Sequence, residues 1–485
     1  MLKTFILKIN KKKSRYSCVH SVRNMWEELH PVLQWREERV RNRRENMPFL
    51  HGFRRIVYEY QPLVDAVMGV LGTEEDSHSR NQDNEESVCR DLVELLDKES
   101  PDKESPVFME GIKYCLFKMA ELGLVSAARV FLRYGADLNF EDPVSYYNPL
   151  HIAVLRNKPD IVQLLLAHGA KINKRDRIHE SSPLDLASEE ADRLPCLRVL
   201  LDLGADVNAK DKNGKTALLH ALASSDGLTV KNTDNIQLLL ERGADVNATT
   251  HDGETPMSSL TFLVKEALDS SQEDAKEIRH FCTRVAHLLI THGADPSCCL
   301  NAADGEVWEP SLTYTSLENF DLFFPLAALL LQHGGSFFCS HHSASLWTGQ
   351  RLIFTRLAEA LREPLDTVEV ADLFAKAEAL LDLATICSPV LPPLFPESEL
   401  PVLEQSSAHQ SLLELYSKLK DQESQPLPLR CLCRRRIHHC LRPWPFEEKV
   451  KVLPLPDRLK MLLLPEHSWA NRPGWDVFKP CSSLS

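Results

Sequence analysis

One short phrase returns along the middle of the chain at intervals of 34 to 50 residues. Each copy opens with a polar residue, then Pro or Ala, then an aliphatic residue, and a leucine-rich run leads on to a glycine phrase. The glycines of successive copies are Gly135, Gly169, Gly204, Gly243, Gly293 and Gly334. A unit this short cannot bury its own apolar face, so the copies must stack on one another.

Each copy has the pattern of a pair of helices. Asn148 is placed to cap the first helix. Pro149 follows at the first helical position, where its missing N–H would have had no acceptor within the helix. The second helix carries apolar residues at i, i+3 and i+4, as in Val162, Leu165 and Leu166, and glycine closes it. This pattern resembles the ankyrin repeat, whose opening is Thr-Pro-Leu-His-x-Ala.

Charge is distributed unevenly along the chain. Residues 1–46 hold 12 Lys and Arg against 5 Glu, whereas the remainder is acidic and brings the formal net charge to −13. An acidic body does not suit a phosphate backbone, so we predict no nucleic-acid partner. We interpret residues 1–46 as a disordered extension, and the alternative is a targeting or nuclear-import arm around Lys11-Lys12-Lys13.

Several other classes of protein are disfavoured. No apolar run approaches the roughly 18 residues that cross a bilayer, so we expect no membrane insertion. The 13 cysteines follow no secreted-domain spacing and no signal peptide is evident, which favours a cytoplasmic location, with the nucleus as the alternative. No P-loop, nucleophile elbow, kinase or metalloprotease motif is present, so we expect neither catalytic residues nor a cofactor.

Changes in composition divide the chain. Residues 388–401 contain five prolines, which no helix tolerates, and so mark a boundary. The polar stretch 72–86 predicts a loop, and residues 410–419 a short helix. We predict an all-α chain with a basic extension (1–46), an N-terminal capping helix and loop (47–107), about six ankyrin repeats (108–340), a C-terminal helical cap (341–387), a Pro-rich linker (388–409), a helical module (410–464) and a tail (465–485).

A two-part motif in the helical module carries the functional prediction. Leu429, Cys433 and Ile437 fall at i, i+4 and i+8, so one helix face holds all three. Further along, Leu453-Pro454-Leu455-Pro456 predicts an extended entry into a last short helix. The two parts resemble a three-helix SOCS box: Leu, three residues, Cys, three residues and an aliphatic residue, then a cullin-5-type Leu-Pro-φ-Pro box. Leu462 stands where that box has Tyr.

An ankyrin array followed by a SOCS box resembles the ankyrin repeat and SOCS box protein family, over residues 47–463. The resemblance implies a non-catalytic substrate receptor of a cullin–RING ubiquitin ligase, which delivers its target to ubiquitination and proteasomal degradation. It implies that Leu429, Cys433 and Ile437 bind elongin C, and with it elongin B. It also implies that the box Leu453–Pro456 binds cullin-5, whose RING-box protein recruits the ubiquitin-conjugating enzyme.

The target is expected to bind the turn tips of the array, where aromatic and basic side chains are the usual energetic anchors. The candidates are Tyr146, Tyr147, Lys174, Arg175, Arg177, Lys210 and Lys212. Basic tips on an acidic background predict an acidic or phosphorylated protein segment, held by bidentate arginines. The alternative is a solvated charged surface with no binding role.

Simpler interpretations stay open at this point. The Leu429 stripe also suits an ordinary amphipathic helix docked on its own domain, which would leave a passive ankyrin scaffold. Cys431, Cys433 and Cys440, with two histidines between them, suggest zinc, but Cys-x-Cys is a poor spacing for a tetrahedral site, so we predict no metal. His151 is expected to be a hydrogen-bonded structural residue rather than a base.

Overall fold

A computed structural model of the 485-residue chain describes residues 53–71, 82–99, 105–142, 145–177, 180–223, 232–296, 310–338, 347–362, 365–388, 391–401, 406–426, 429–441 and 446–463. The predicted extension and tail lie outside them. Within these ranges the chain is helical and forms no strand beyond an isolated bridge between Phe338 and Thr348, which confirms the all-α prediction. Contacts divide it into two compact units, Met1–Asp206 and Val207–Ser485.

Unit 1 is built of helix pairs. Its helices are α1 (Phe53–Leu71), α2 (Gln82–Glu99), α3 (Pro106–Leu122), α4 (Val125–Arg133), α5 (Pro149–Leu155), α6 (Pro159–Ala167), α7 (Pro183–Ser188) and α8 (Leu194–Asp202). The first helices of the pairs pack on one another in one row, and the second helices pack in another. The pairs from α3 to α8 are the first three predicted repeats.

A further helix pair, α1 and α2, precedes those repeats. α2 begins at Gln82, inside the stretch 72–86 that we predicted as a loop, so that part of the prediction was wrong. Leu92 and Leu96 are fully buried, and their spacing gives the polar α2 an apolar stripe that packs against α1 and α4. Burial against neighbouring helices therefore stabilises a helix in a segment whose polar composition disfavours one.

Unit 2 continues with the same kind of pairing. Its helices are α9 (Ala217–Ala223), α10 (Thr233–Glu241), α11 (Pro256–Leu268), α12 (Gln272–Thr291), α13 (Leu312–Glu318), α14 (Phe320–Gln332), α15 (Gly349–Ala360), α16 (Thr367–Cys387), α17 (Ser406–Ser424), α18 (Leu429–Cys440), α19 (Phe446–Val452) and α20 (Asp457–Leu463). The helices α9, α11, α13 and α15 pack in one row, and α10, α12, α14 and α16 in another. The extra residues of the fifth repeat lengthen α11 and α12 to 13 and 20 residues.

The ends of the repeat helices follow the local chemistry of the sequence. Asn148 Oδ1 accepts a 2.9 Å hydrogen bond from the backbone N–H of His151, and Ser182 and Thr255 cap α7 and α11 in the same way. Gly169, which follows α6, has a φ of 92°. An L side chain is strained in that conformation, which explains why the repeat phrase has glycine there.

The C-terminal helical cap shares one core with the sixth repeat, because Leu317, Phe320 and Phe324 of that repeat belong to the buried cluster that contains the cap residues. The rings of Phe354 (α15), Phe395 (linker) and Tyr416 (α17) pack with centroids 5.5 to 6.0 Å apart, and Tyr416 Oη donates a 2.7 Å hydrogen bond to the Phe395 carbonyl. Residues 391–401 form no α-helix, as predicted, and contain a 3₁₀ turn at Glu397–Glu399. Within the described residues, every helix is too short or too polar to be a bilayer-spanning segment.

Candidate functional site

Helix α18 turns its apolar side to solvent. Leu429 is 75% exposed and Leu432 is 46% exposed, and Cys433 is exposed beside them. The spacing i, i+3 and i+4 places the three on one helix face. Arg436 and Cys440 extend this exposed face at i+7 and i+11. We call this set of residues the Leu429 face.

The opposite side of α18 is turned towards the protein. Cys431 and Arg435, four residues apart, are half-buried there. Ile437 lies one turn after Cys433, at the edge of the Leu429 face, and is half-buried rather than exposed. Arg435 Nη2 donates a 2.8 Å hydrogen bond to the carbonyl oxygen of Thr385, in the last turn of α16. Burial lowers the pKa of Arg435, and the nearby Cys431 opposes that shift. α18 therefore leaves Leu429 and Leu432 exposed, whereas Arg435 and Ile437 are half-buried.

The last two helices surround the proline box. α20 packs against both α18 and α19, and Leu453-Pro454-Leu455-Pro456 connects α19 to α20 with its prolines exposed and its leucines half-buried. The sequence predicts an extended connection here, but the connection is bent. The Leu455 N–H donates a 2.7 Å hydrogen bond to the Leu453 carbonyl, which closes the bend. The Pro456 carbonyl accepts a 2.8 Å hydrogen bond from Leu459 and so starts α20. The side chain of Leu462 lies outside the described atoms.

The basic side chains of the first candidate tip are paired within unit 1. Lys174 Nζ lies 2.8 Å from Glu141 Oε1, and Arg177 Nε lies 2.6 Å from Glu141 Oε2. Arg175 Nη1 lies 3.1 Å from Asp185 Oδ2, whose side chain is only 2% exposed. An acidic ligand at Arg175 would have to displace a carboxylate that also caps α7. Stacking brings Glu141 to this tip from the preceding repeat, and we did not anticipate that pairing.

The two tyrosines of the preceding tip differ in their surroundings. Tyr146 has a φ of 59° and is 37% exposed, whereas the half-buried ring of Tyr147 lies 5.6 Å from the His151 imidazole. His151 is 1% exposed, and burial lowers its pKa to about 4 against the opposing charge of Asp176. The imidazole is therefore neutral at pH 7, and its capping hydrogen bonds with Asn148 give it the structural role we predicted.

The second basic tip, in unit 2, is organised by one carboxylate. Asp211 Oδ1 accepts a 2.8 Å hydrogen bond from the Lys215 N–H, and its Oδ2 lies 3.3 Å from His220 Nε2. Burial by itself raises the pKa of Asp211, but these hydrogen bonds outweigh it and lower the pKa to about 2. Lys210 Nζ donates to a backbone carbonyl of the following repeat at 3.1 Å, and Lys212 is exposed.

Comparison with known proteins agrees with this architecture. Ankyrin-repeat profiles match residues 83–176, 116–211 and 213–251, and the SOCS box profile matches residues 425–464. Ankyrin repeat and SOCS box protein 6 of Mus musculus is 53% identical over 426 residues, covering 87% of this chain and 99% of that protein. The Homo sapiens protein of that name is 53% identical over 428 residues, covering 87% and 98%.

The chain belongs to the ankyrin repeat and SOCS box protein family. Its three helices α18, α19 and α20 all fall inside the matched SOCS box, whereas α17 ends at Ser424, just before it. This combination supports a substrate-receptor role, because a SOCS box implies elongin B/C and a cullin-based ubiquitin ligase as partners.

The cysteines of this SOCS box are free thiols. Cys431 is half-buried, and Cys433 and Cys440 are exposed. Elsewhere burial raises the pKa of Cys115 and of Cys196 to about 12. No group of three or more His, Cys, Asp or Glu side chains is arranged for a metal ion in the part of the chain that the structure describes. The side chains of both histidines in α18 lie outside that part.

Proposed function

We propose that this chain is the substrate-recognition subunit of an elongin B/C–cullin-5–RING ubiquitin ligase. Its ankyrin array binds a target protein, which is then ubiquitinated and degraded by the proteasome. The observation that carries the proposal is the Leu429 face, because a helix that exposes leucines and buries an arginine is suited to a second polypeptide. The chain itself supplies no catalytic residue or cofactor. It contributes proximity between the target and the transfer machinery, in the cytoplasm or, alternatively, the nucleus.

Elongin C is the proposed occupant of the Leu429 face. Leu429 is the anchor, because a leucine that is 75% exposed has most of its apolar surface still to bury. Cys433 lies one helical turn further along the same face. Ile437 is half-buried, and we assign it the edge of the contact. Elongin B joins through elongin C.

Cullin-5 is the proposed partner of the box Leu453–Pro456. The exposed prolines and the hydrogen-bonded bend give this connection a rigid shape, which lowers the entropic cost of binding. Leu459, which is 46% exposed at the start of α20, adds apolar surface next to it. Cullin-5 in turn recruits the RING-box protein and its ubiquitin-conjugating enzyme.

The target is proposed to be an acidic or phosphorylated protein segment. In unit 1, Tyr146 offers an exposed aromatic ring, and Lys174 and Arg177 can exchange their shared partner Glu141 for a ligand carboxylate or phosphate. We assign Tyr147 and Arg175 to the support of that tip rather than to direct contact, since both are engaged inside the unit. In unit 2, Lys210 and Lys212 are a separate candidate surface.

The test is the affinity of the full chain for purified elongin B/C, measured by calorimetry. Leu429→Ala is expected to weaken binding by about 30- to 1000-fold, the equivalent of about 2–4 kcal/mol. The matched control is Val368→Ala: Val368 in α16 is 74% exposed, but it lies outside the SOCS box, so affinity should not change. Equal affinities for both variants would reject the Leu429 face. If the wild-type chain has no measurable affinity for elongin B/C, the ligase proposal is rejected and the passive ankyrin scaffold is the remaining interpretation.

A further inference from the structure

Arg435 is bonded to a carbonyl group that its own helix leaves without a donor. Thr385 lies in the last turn of α16, where the backbone carbonyls have lost their intrahelical partners. Four residues on, where an α-helix would place the donor for Thr385, the sequence has Pro389, which carries no N–H. The Arg435 guanidinium supplies the missing donor at 2.8 Å and places a positive charge at the negative end of the α16 dipole.

This contact opposes the orientation that the composition of α18 favours. Arg435 is half-buried and its Nε has no hydrogen-bond partner, whereas Leu429 and Leu432 are exposed to water. Burying leucines and exposing arginine is ordinarily the more stable choice. A rotation of α18 by about a third of a turn would bring Leu429 to the place of Arg435, because the two side chains lie about 120° apart around the helix.

We propose that Arg435 is a positioning residue that holds the Leu429 face of α18 in solvent. Its bond to the end of α16 makes the outward orientation the stable one in the free chain, so that the binding face is available before any partner arrives. Without the guanidinium, α18 turns its leucines onto α16 and hides them. The biological meaning rests on the function proposed above, but the orientation itself is a property of this chain alone.

Two thiols of α18 report the orientation directly. Cys433 lies on the Leu429 face and is exposed, and Cys431 lies on the Arg435 side and is half-buried. The full chain is treated briefly with N-ethylmaleimide, and fragment-ion mass spectrometry gives the ratio of Cys433 to Cys431 modification. In the wild type Cys433 reacts faster. In Arg435→Leu the ratio should fall by about tenfold or more, since losing a charge-assisted hydrogen bond shifts such an equilibrium by that order.

Arg436→Gln is the matched control for charge. It removes the same charge from the neighbouring residue without adding apolar surface to the Leu429 face, and it should leave the thiol ratio within about twofold of wild type, because it breaks no contact with α16. Arg435→Lys keeps a cationic donor and should keep the wild-type ratio. If Arg435→Leu loses its helical circular dichroism, Arg435→Ala takes its place with the same expectation. The inference is overturned if the thiol ratio of Arg435→Leu is unchanged, or if Cys433 and Cys431 both react faster by the same factor.

Binding to elongin B/C separates this inference from the proposed function. With a folded Arg435→Leu chain, affinity should fall about tenfold while the thermal melting temperature stays equal or rises, because an apolar contact has replaced a buried cation. A variant with a tenfold lower thiol ratio but wild-type affinity would reject the positioning role. If the wild-type chain does not bind elongin B/C at all, the proposed function fails, and the thiol ratio still decides the orientation.

Discussion

Replacing Gly349 with alanine tests the packing where α15 begins. A Cβ atom on Gly349 would lie 2.2 Å from Cε2, 2.5 Å from Cδ2 and 2.6 Å from Cζ of Phe337, whereas non-bonded carbon atoms settle at roughly 3.5–4.0 Å. Phe337 is only 1% exposed, so its ring has no free space to enter. The Gly349 N–H also donates a 2.8 Å hydrogen bond to the Phe337 carbonyl, which keeps the two backbones close.

The expected change in the free energy of unfolding follows from two opposing effects. Overpacking of this kind costs about 1–3 kcal/mol, and alanine gains about 0.5–1 kcal/mol over glycine in a helix. We therefore expect Gly349→Ala to destabilise the region by about 1–2 kcal/mol. Gly69→Ala is the matched control: this helical glycine in α1 has nothing within 4 Å of its Cβ position, so alanine should stabilise by about 0.5–1 kcal/mol.

The assay must be local, because stacked repeats do not unfold as one unit. Native-state hydrogen exchange followed by mass spectrometry gives a free energy of opening for peptides from α15 and from α1. Adding Phe337→Leu to Gly349→Ala should recover part of the loss, since the smaller side chain makes room for the Cβ atom. Protection of α15 that is equal to wild type in Gly349→Ala would refute the packing argument.

Two further outcomes follow from buried polar groups. Burial lowers the pKa of His151 from 6.5 to about 4, so the unfolded chain takes up the proton first on acidification. The stability of unit 1 should be constant above pH 6.5 and fall by about 3 kcal/mol towards pH 4. His151→Ser, which copies Ser258 of the fifth repeat, should flatten that slope in urea titrations, and a slope like that of the wild type would contradict the assignment. Tyr416→Phe leaves the Phe395 carbonyl unpaired and should cost about 1–3 kcal/mol, read as a lower melting temperature of unit 2; an unchanged melt would contradict it.

Local features of the fold could be predicted because their causes are local. A side chain at Asn148 caps the helix that starts next to it, and the glycine at position 169 is required by a backbone angle at that residue. The SOCS box motif is equally local, since helical spacing alone places Leu429 and Cys433 on one face. The start of α2 at Gln82 escaped prediction because its stability comes from burying Leu92 and Leu96 against other helices.

The surroundings of the candidate site residues depend on contacts between residues that are distant in the chain. The sequence predicts Lys174 and Arg177 as contacts for the target, but stacking pairs both with Glu141 of the preceding repeat. The sequence by itself determined that Leu429 and Cys433 share one side of α18 and that Arg435 lies off it. Only the tertiary structure decided which side meets solvent, because that depends on a hydrogen bond between Arg435 and Thr385, 50 residues apart in the chain. Periodicity describes one helix at a time and carries no information about such a contact.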